Sequence, residues 1–287
     1  MTSSTSSARE HVLAAAPPSA SRLGLADVAW ANLAPLLNRL RHGEGALLAV
    51  NLSIALSARP DARRLLAHVL VSTVVLALLY LLNDVQDCRH DLSDAGKDRA
   101  LASFCVRHRE ALARLLVLEQ AGAIVLALAL LGGRSAVAVA AVFLVNLAYS
   151  AVFKGRPAVD VLWVALWGAC YAMVPGVALP ARVLALVGVM TSICHVFQIT
   201  RDRPVDDANR VRTSAVAIPW LPTMQLAVGC LAMGLILAPI LGPAAAATAA
   251  VPLVLRFAVR SNQAAWLLSK TYYGAIWLLV LRAIHAH

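Results

Sequence analysis

The stretch Asn83-Asp84-Val85-Gln86-Asp87-Cys88-Arg89-His90-Asp91 follows directly after an apolar run at residues 65–82. The run is close to the ~20 residues that an α-helix needs to cross the hydrocarbon core of a bilayer. The three aspartates of the stretch are spaced three and four residues apart, so they share one face if the helix continues. We therefore predict a membrane-spanning helix that ends in a stripe of carboxylates.

The composition of the whole chain indicates that this helix belongs to an integral membrane protein. Of its 287 residues, 60% are hydrophobic and 14% are charged, whereas soluble domains carry about 25% charged residues. Lipid offers no hydrogen-bond partner to backbone amides, so the apolar segments are expected to be helices. The predicted fold class is an all-α membrane protein with about nine transmembrane helices in a bundle.

Nine apolar segments are the candidate spans, and they begin after an N-terminal region of different character. Residues 1–22 are rich in Ser, Ala and Pro, which predicts a flexible tail. Residues 23–287 are then a single transmembrane domain, whose first part, 23–40, is amphipathic and predicts an interfacial helix. The candidate spans are 45–58, 64–83, 108–131, 135–153, 159–178, 181–201, 217–241, 243–258 and 264–284.

The two longest polar breaks, residues 84–107 and 201–212, both follow even-numbered spans, so they are expected on the same side of the membrane. That side carries roughly 16 Lys and Arg against about six on the other, which predicts that it is cytoplasmic. An odd number of spans then places His287 on the far side. The chain has a net charge of +10, and its Lys and Arg residues are confined to such breaks. This pattern is typical of membrane topology rather than of nucleic-acid binding. We predict a multi-pass protein of the inner or cell membrane type.

The second break repeats the acidic pattern of the first. It reads Arg201-Asp202-Arg203-Pro204-Val205-Asp206-Asp207-Ala208-Asn209-Arg210-Val211-Arg212-Thr213. Asp202 and Asp206 are four residues apart and face the same way on a helical turn, while Pro204 is expected to mark the end of the sixth span. Carboxylates gathered at one membrane face repel one another and recruit cations. Oxygen ligands without a Cys or His set favour Mg²⁺.

Basic residues stand near both acidic groups and could bind phosphate oxygens that the metal does not reach. They are Arg89, Lys97, Arg99, Lys154, Arg156, Arg201 and Arg203. Acids, a metal and bases at the mouth of an apolar bundle predict a site for a diphosphate that carries a hydrocarbon chain. A polyisoprenyl diphosphate has both parts.

The stretch from Asn83 to Asp91 resembles the NDxxDxxxD motif of the UbiA-type intramembrane prenyltransferases. The segment Lys97-Asp98-Arg99-Ala100-Leu101-Ala102-Ser103 is similar to the K-x-R-P-L-A-S segment of that family, with Ala100 in place of Pro. The two blocks stand in the order that the family shows.

Two further blocks extend the resemblance over residues 40–285. Tyr149-Ser150 with Lys154, Pro157 and Asp160-Val161-Leu162 is similar to the YS-x-x-x-K…P…DVL connection of the family. Asp202, Asp206 and Thr213 match its second motif, a D-x-x-x-D with a Thr further on. Arg210 stands where that motif usually has Gly.

The resemblance implies a helical bundle around a central cavity, Mg²⁺ as cofactor, and transfer of a prenyl group from a prenyl diphosphate donor to a lipophilic, aromatic acceptor. It assigns the metal–diphosphate unit to one set of residues: Asn83, Asp84, Asp87, Asp91, Asp202 and Asp206. Within that set we expect catalytic roles for Asp84, Asp87, Asp202 and Asp206. The residues expected to bind the diphosphate are Asn83, Lys97, Arg99, Tyr149, Lys154 and Arg203.

Three alternative functions also depend on acidic residues of this kind. A UbiA-type membrane terpene cyclase ionises the same donor without an acceptor. A phosphoribosyl transferase acting on a lipid phosphate shares the first motif, but that branch lacks the D-x-x-x-D of the second. A cation-coupled transporter places its acids in the middle of spans, whereas this chain keeps them at one face. Prenyl chain length, acceptor identity and oligomeric state stay open.

The sequence also predicts roles for two further residues, His195 and Asp160. His195 lies within the sixth span, two turns before Asp202, where an ionisable group is often functional; a neutral histidine bonded to a neighbouring helix is the alternative. Asp160 precedes the fifth span and is expected to cap it.

Overall fold

The computed structural model describes residues 23–94 and 97–285, and these residues form helices joined by short connections, with no strand among them. The tail predicted at residues 1–22 and the terminal His287 lie outside the described residues. The α-helices are α1 (Leu25–Arg41), α2 (Ala46–Ser57), α3 (Ala62–Asp91), α4 (Arg99–Arg107), α5 (Arg109–Leu131), α6 (Gly133–Ala148), α7 (Val159–Ala172), α8 (Ala181–Ala208), α9 (Ser214–Ala217), α10 (Leu221–Leu241), α11 (Pro243–Ala247), α12 (Val251–Ala258) and α13 (Asn262–His285).

The all-α membrane class predicted from the sequence is confirmed, but the count of nine spans is not. Six helical segments are long and apolar enough to cross a bilayer: α3, α5, α6 with the turn after it, α8, α10 and α13. The predicted spans 45–58 and 159–178 correspond to helices of only 12 and 14 residues, and 243–258 is divided between α11 and α12. At 1.5 Å per residue, 12 to 14 residues cover about 18–21 Å, less than the ~30 Å of the hydrocarbon core. The chain is an integral, multi-pass membrane protein.

Helix α3 runs through the apolar segment and into the acidic stretch without a break, as the spacing predicts. It begins at an Asp61 cap, whose carboxylate accepts the Arg64 backbone N–H at 2.7 Å, and continues for 30 residues to Asp91. Most of its middle is buried, from Val71 to Val85. A 30-residue helix is about 45 Å long, so its acidic end extends beyond the hydrocarbon core.

Helix α8 also carries its acidic motif at its C-terminal end. The expectation that Pro204 ends this helix was wrong, because α8 continues to Ala208. Proline has no backbone N–H, so only one hydrogen bond of the helix is lost at Pro204. The helix is closed further on, where the Arg210 N–H donates to the Asp207 carbonyl at 3.1 Å and the Val211 N–H donates to the Asp206 carbonyl at 2.8 Å. This pair of bonds is the Schellman arrangement of a helix C-terminus.

The bundle is held together by close helix approach and by buried polar groups. A Cβ added to Gly188 of α8 would lie 2.6 Å from the Ala165 carbonyl oxygen of α7, so these two backbones pack closely because a side chain is lacking. Buried Asn51 of α2 donates to the Tyr171 carbonyl of α7 at 2.7 Å and accepts from Ser72 of α3 at 2.5 Å. These bonds join α2, α3 and α7 in the apolar interior.

Candidate functional site

The acidic end of α3 contacts the end of α1. Asp84 is buried and accepts a hydrogen bond from the Arg39 guanidinium at 2.9 Å. Arg39 also bonds Glu44 at 3.2 Å, and its guanidinium lies over the Tyr80 ring at 5.4 Å. Burial disfavours the charge of Arg39, but the Glu44 and Asp84 carboxylates more than offset this and raise the pKa of the guanidinium. Arg39 is therefore a fixed cation beside the first motif.

The second contact of the first motif comes from the π-helical turn Tyr149–Phe153 that follows α6. This wider turn brings Lys154 to α3, where its ammonium donates to the Asp87 carboxylate. Ser150, inside the turn, donates to the Asn83 side-chain oxygen at 3.3 Å. π-Helical turns occur often at functional sites, because they redirect side chains within a helix.

The acidic end of α8 faces the same cation. Asp202 pairs with its neighbour Arg201 at 2.7 and 3.1 Å. Asp206 accepts from the Thr213 hydroxyl at 3.2 Å and lies within electrostatic reach of both Lys154 and Asp87. The two motifs therefore converge on Lys154.

The polar breaks after α3 and α8 meet directly. The Ser93 hydroxyl and the Asn209 side chain are hydrogen bonded at 3.3 Å across 116 residues of sequence. The prediction that both breaks lie on the same side of the membrane is confirmed. The cytoplasmic assignment of that side stays a prediction.

Each of four motif carboxylates is paired with a cation of the chain. The pairs are Asp84 with Arg39, Asp87 with Lys154, Asp91 with Lys97 at 3.7 Å, and Asp202 with Arg201. Within residues 23–94 and 97–285, no three His, Cys, Asp or Glu side chains lie close enough to hold a metal ion. The donors are nevertheless carboxylate and amide oxygens alone, the chemistry that suits Mg²⁺. Each of these carboxylates already binds a cationic side chain, which a divalent ion could replace.

Two predicted diphosphate ligands, among the described residues, take no part in these ion pairs. Arg99 is the first residue of α4, and Arg203 follows Asp202 on α8; both side chains are exposed. In the described structure their charges face solvent at the same end of the bundle. They extend the positive surface around the acids.

His195 and Tyr149 form a pair beneath the acids. The Tyr149 hydroxyl lies 3.2 Å from His195 Nε2, and His195 Nδ1 lies 3.4 Å from the Gln198 side-chain oxygen. If Nδ1 carries the proton, it donates to Gln198, and Nε2 then accepts the phenolic proton. The bond to a neighbouring helix, the alternative that the sequence left open for His195, is present.

Contrary to the expectation from the sequence, Asp160 does not cap α7. Helix α7 is capped at Ala158, and the Asp160 carboxylate instead accepts from the Ser214 backbone N–H at 2.8 Å and from its hydroxyl at 2.5 Å. It is fully buried and joins the start of α7 to α9. Its role is to hold the connection that follows the second motif.

Sequence reasoning did not select Arg39 or Glu44. Arg39 and Arg41 stand together in the last turn of α1, which indicates an interfacial helix end. The contact with Asp84 depends on how α1 packs against α3. The spacing of residues along the sequence does not predict how these two helices pack.

The fold and site together define a class: a multi-pass helical membrane protein in which two acidic helix ends and several cations meet at one face. The model of the UbiA prenyltransferase family matches residues 45–284. The chain belongs to the UbiA prenyltransferase family.

Solved structures agree with this fold. A UbiA homolog from Archaeoglobus fulgidus, bound to DMAPP and Mg²⁺, superposes with a TM-score of 0.64 at 16% sequence identity, covering 85% of this chain and 96% of that chain. The structure of a UbiA homolog from the same organism bound to Cd²⁺ gives a TM-score of 0.56 at 16% identity, covering 84% and 95%. A comparison with curated protein sequences finds no significant match.

Proposed function

We propose that the protein is an intramembrane prenyltransferase that ionises a prenyl diphosphate and transfers its prenyl group to a lipophilic, aromatic acceptor. The observation that carries this proposal is the convergence of the α3 and α8 acids on Lys154 at one end of an apolar bundle. Membership of the family and the DMAPP and Mg²⁺ bound by the archaeal homolog support the donor and the cofactor. The charge bias supports a cytoplasmic site.

The proposed metal ligands are the six residues that the motifs supply: Asn83, Asp84, Asp87, Asp91, Asp202 and Asp206. Held by these residues, Mg²⁺ would supply positive charge to the departing diphosphate. Of these ligands, Asp84, Asp87, Asp202 and Asp206 are the proposed catalytic residues.

The basic residues are proposed to bind the diphosphate directly. Lys154, Lys97, Arg99 and Arg203 donate to phosphate oxygens, and charge-assisted bonds of this kind are among the stronger hydrogen bonds in proteins. Lys154 pairs with Asp87 of the first motif and interacts electrostatically with Asp206 of the second, so it is proposed to stabilise the negative charge that develops on pyrophosphate. Tyr149 is the further ligand proposed at the inner edge; its hydroxyl has one proton, which it donates either to His195 Nε2 or, with the donor bound, to a phosphate oxygen.

In the proposed reaction the allylic C–O bond breaks and both of its electrons leave with pyrophosphate. A nucleophilic atom of the acceptor then forms a bond to the allylic carbon, and the acceptor loses a proton. The apolar bundle below the site binds the prenyl chain and excludes water, which would otherwise react with the prenyl cation and convert it to an alcohol.

The proposal is tested with purified protein, prenyl diphosphates of several lengths, candidate aromatic acceptors, and either Mg²⁺ or EDTA. Expected is metal-dependent pyrophosphate release together with a prenylated acceptor. Absence of pyrophosphate at every chain length overturns the enzyme proposal. Pyrophosphate without acceptor, accompanied by a cyclic hydrocarbon, identifies a terpene cyclase instead.

The site assignment is tested by Asp87→Ala and Asp202→Ala, each of which is expected to reduce turnover at least about 100-fold, as loss of a transition-state charge contact does. Asp207→Ala is the matched control, since Asp207 neighbours Asp206 on α8 and is exposed. Circular dichroism and size-exclusion chromatography check that all three variants fold. Wild-type rates in the first two variants contradict the assignment.

A further inference from the structure

A cavity of about 380 Å³ lies between α1, α3 and α5, and no residue of the acidic motifs lines it. Its walls are mostly apolar and include Leu33, Val74, Leu78 and Leu126. Leu33 is 55% exposed, so the cavity opens to the outer surface of the bundle. The volume lies within the ~300–1,000 Å³ typical of small-molecule sites.

One carboxyl group interrupts this apolar wall. Glu119 Oε1 accepts a hydrogen bond from the Asn32 side-chain nitrogen at 2.7 Å. Glu119 Oε2 is buried and has no hydrogen-bond partner among the described residues. A buried polar atom without a partner is costly, so it indicates a ligand group that completes its bonding.

The position of Glu119 within the membrane helix strengthens that inference. It lies ten residues into α5, about 15 Å from the start of the helix and near half the ~30 Å depth of the hydrocarbon core. Ionisable groups at this depth are costly and usually functional. The ion pairs of the diphosphate site involve neither Glu119 nor Asn32.

We propose that this cavity is a second binding site, which holds a lipophilic molecule through its hydroxyl group. A hydroxyl both donates and accepts, so it satisfies Glu119 Oε2 whether the carboxyl is ionised or protonated. An ether offers no donor, so it does not bond an ionised Glu119, and a second carboxylate is repelled by the same charge. The hydrocarbon part of the ligand lies along the Leu and Val walls.

The cavity lies beside the diphosphate site rather than within it. Leu36 on α1 and Leu78 on α3 line the cavity and are buried, and Arg39 and Asp84 follow them by one and nearly two turns. A hydroxylated molecule in the cavity is therefore a neighbour of the reacting groups. Its source is either a phenolic acceptor or a long-chain alcohol of the bilayer.

Gly122 provides a way to close the cavity. It lines the wall one turn after Glu119, and a Cβ added there meets no atom within 4 Å. Gly122→Leu therefore fills the cavity without a steric clash at its Cβ. Gly274→Leu on α13 is the matched control, because its Cβ also meets no atom within 4 Å. Both changes raise helix propensity, so both variants are expected to fold.

The experiment uses the full chain in lipid nanodiscs and two probes, a diazirine-bearing hexadecanol and its methyl ether. After photolysis, labelled peptides are identified by mass spectrometry. The alcohol is expected to label peptides of α1, α3 and α5 roughly tenfold more than the ether, the preference that one hydrogen bond in an apolar site gives. Gly122→Leu is expected to abolish this labelling and Gly274→Leu to leave it unchanged.

Substitution of the carboxyl tests the hydroxyl contact itself. Glu119→Leu is expected to lower labelling by the alcohol to the level of the ether. In Glu119→Gln the amide oxygen accepts from Asn32 and the NH2 group donates to either probe, so this variant is also expected to lose the preference for the alcohol. Equal labelling of the wild type by both probes, or labelling that survives Gly122→Leu, overturns the proposal. Labelling needs no turnover, so this result is independent of the proposed function.

Kinetics of Gly122→Leu distinguish the two sources. A rise in acceptor KM with an unchanged donor KM identifies the ligand as the acceptor. Lost labelling with both KM values unchanged identifies it as an alcohol of the bilayer. Either result supports a hydroxyl site in this cavity.

Discussion

Four cations from four parts of the chain each pair with one carboxylate of the site, on Asp84, Asp87, Asp91 or Asp202. Arg39 comes from α1, Lys154 from the π-helical turn, Lys97 from the connection before α4, and Arg201 from α8. The pairing lowers the repulsion that four carboxylates at one face would otherwise produce. It also places positive charges where diphosphate oxygens are proposed to bind.

Arg39 provides the clearest prediction at the level of single residues. Arg39→Gln leaves the Asp84 carboxylate, whose side chain is 9% exposed, without its cation. The free energy of unfolding is expected to fall by about 3 kcal/mol, the lower end for a broken buried pair, because Arg39 itself is one-fifth exposed. Equilibrium unfolding in mixed detergent micelles measures this change.

The control for that prediction lies two residues away. Arg41 is exposed on the same helix, so Arg41→Gln is expected to change the free energy of unfolding by no more than about 0.5 kcal/mol. Equal effects of the two substitutions would show that the Asp84 contact does not stabilise the fold.

The acids of the site and three of their four cations, Lys97, Lys154 and Arg201, could be predicted from the sequence, whereas Arg39 could not. Spacing of three and four residues predicts a shared face for Asp84, Asp87 and Asp91, because helix geometry is local. Arg39 and Asn146 contact α3 from other helices, at separations of 45 and 63 residues. Such contacts depend on packing, which hydropathy and spacing do not encode.

At the level of helices, Arg210 lies in a conformation that favours glycine. Its φ is +58°, the left-handed region, at the position that closes α8 by Schellman bonds. A non-glycine residue there costs about 1 kcal/mol. Arg210→Gly is therefore expected to raise the free energy of unfolding by about that amount, measured in the same micelles.

A matched substitution separates this effect from loss of charge. Arg212 is exposed, and its φ is outside the left-handed region, so Arg212→Gly removes the same charge without relieving strain and is expected to stabilise nothing. A gain in stability for Arg212→Gly as large as that for Arg210→Gly would contradict the explanation.

Helix length limited the prediction of spans. Hydropathy detects apolar content, and by that measure residues 159–178 resemble a full span. In the structure α7 ends at Ala172, after which Val174 and Gly176 lie in a turn before α8. The apolar residues of that turn are buried by packing rather than by passage through lipid, since Val174 is fully buried within the bundle. Composition alone does not distinguish the two.

At the level of the whole molecule, α8 fixes the orientation of the site. It has 28 residues and is about 42 Å long, more than the ~30 Å of the hydrocarbon core, so its two ends lie at opposite membrane faces. Ala181 and Asp207 lie near these ends, and both are exposed. Arg201, Arg203, Arg210 and Arg212 surround the Asp207 end, whereas Arg182 stands at the other. The positive-inside rule therefore predicts that the end with the second motif is cytoplasmic.

Cysteine labelling of intact cells checks this orientation. A membrane-impermeant maleimide is expected to label Ala181→Cys from outside and to reach Asp207→Cys only after permeabilisation. The unsubstituted chain is the control, since four of its five free cysteines are buried and Cys194 lies within α8. The reverse pattern would place the acidic motifs, and with them the proposed diphosphate site, on the outer face. Labelling of both positions from outside would show that α8 does not cross the membrane, against its length and hydropathy.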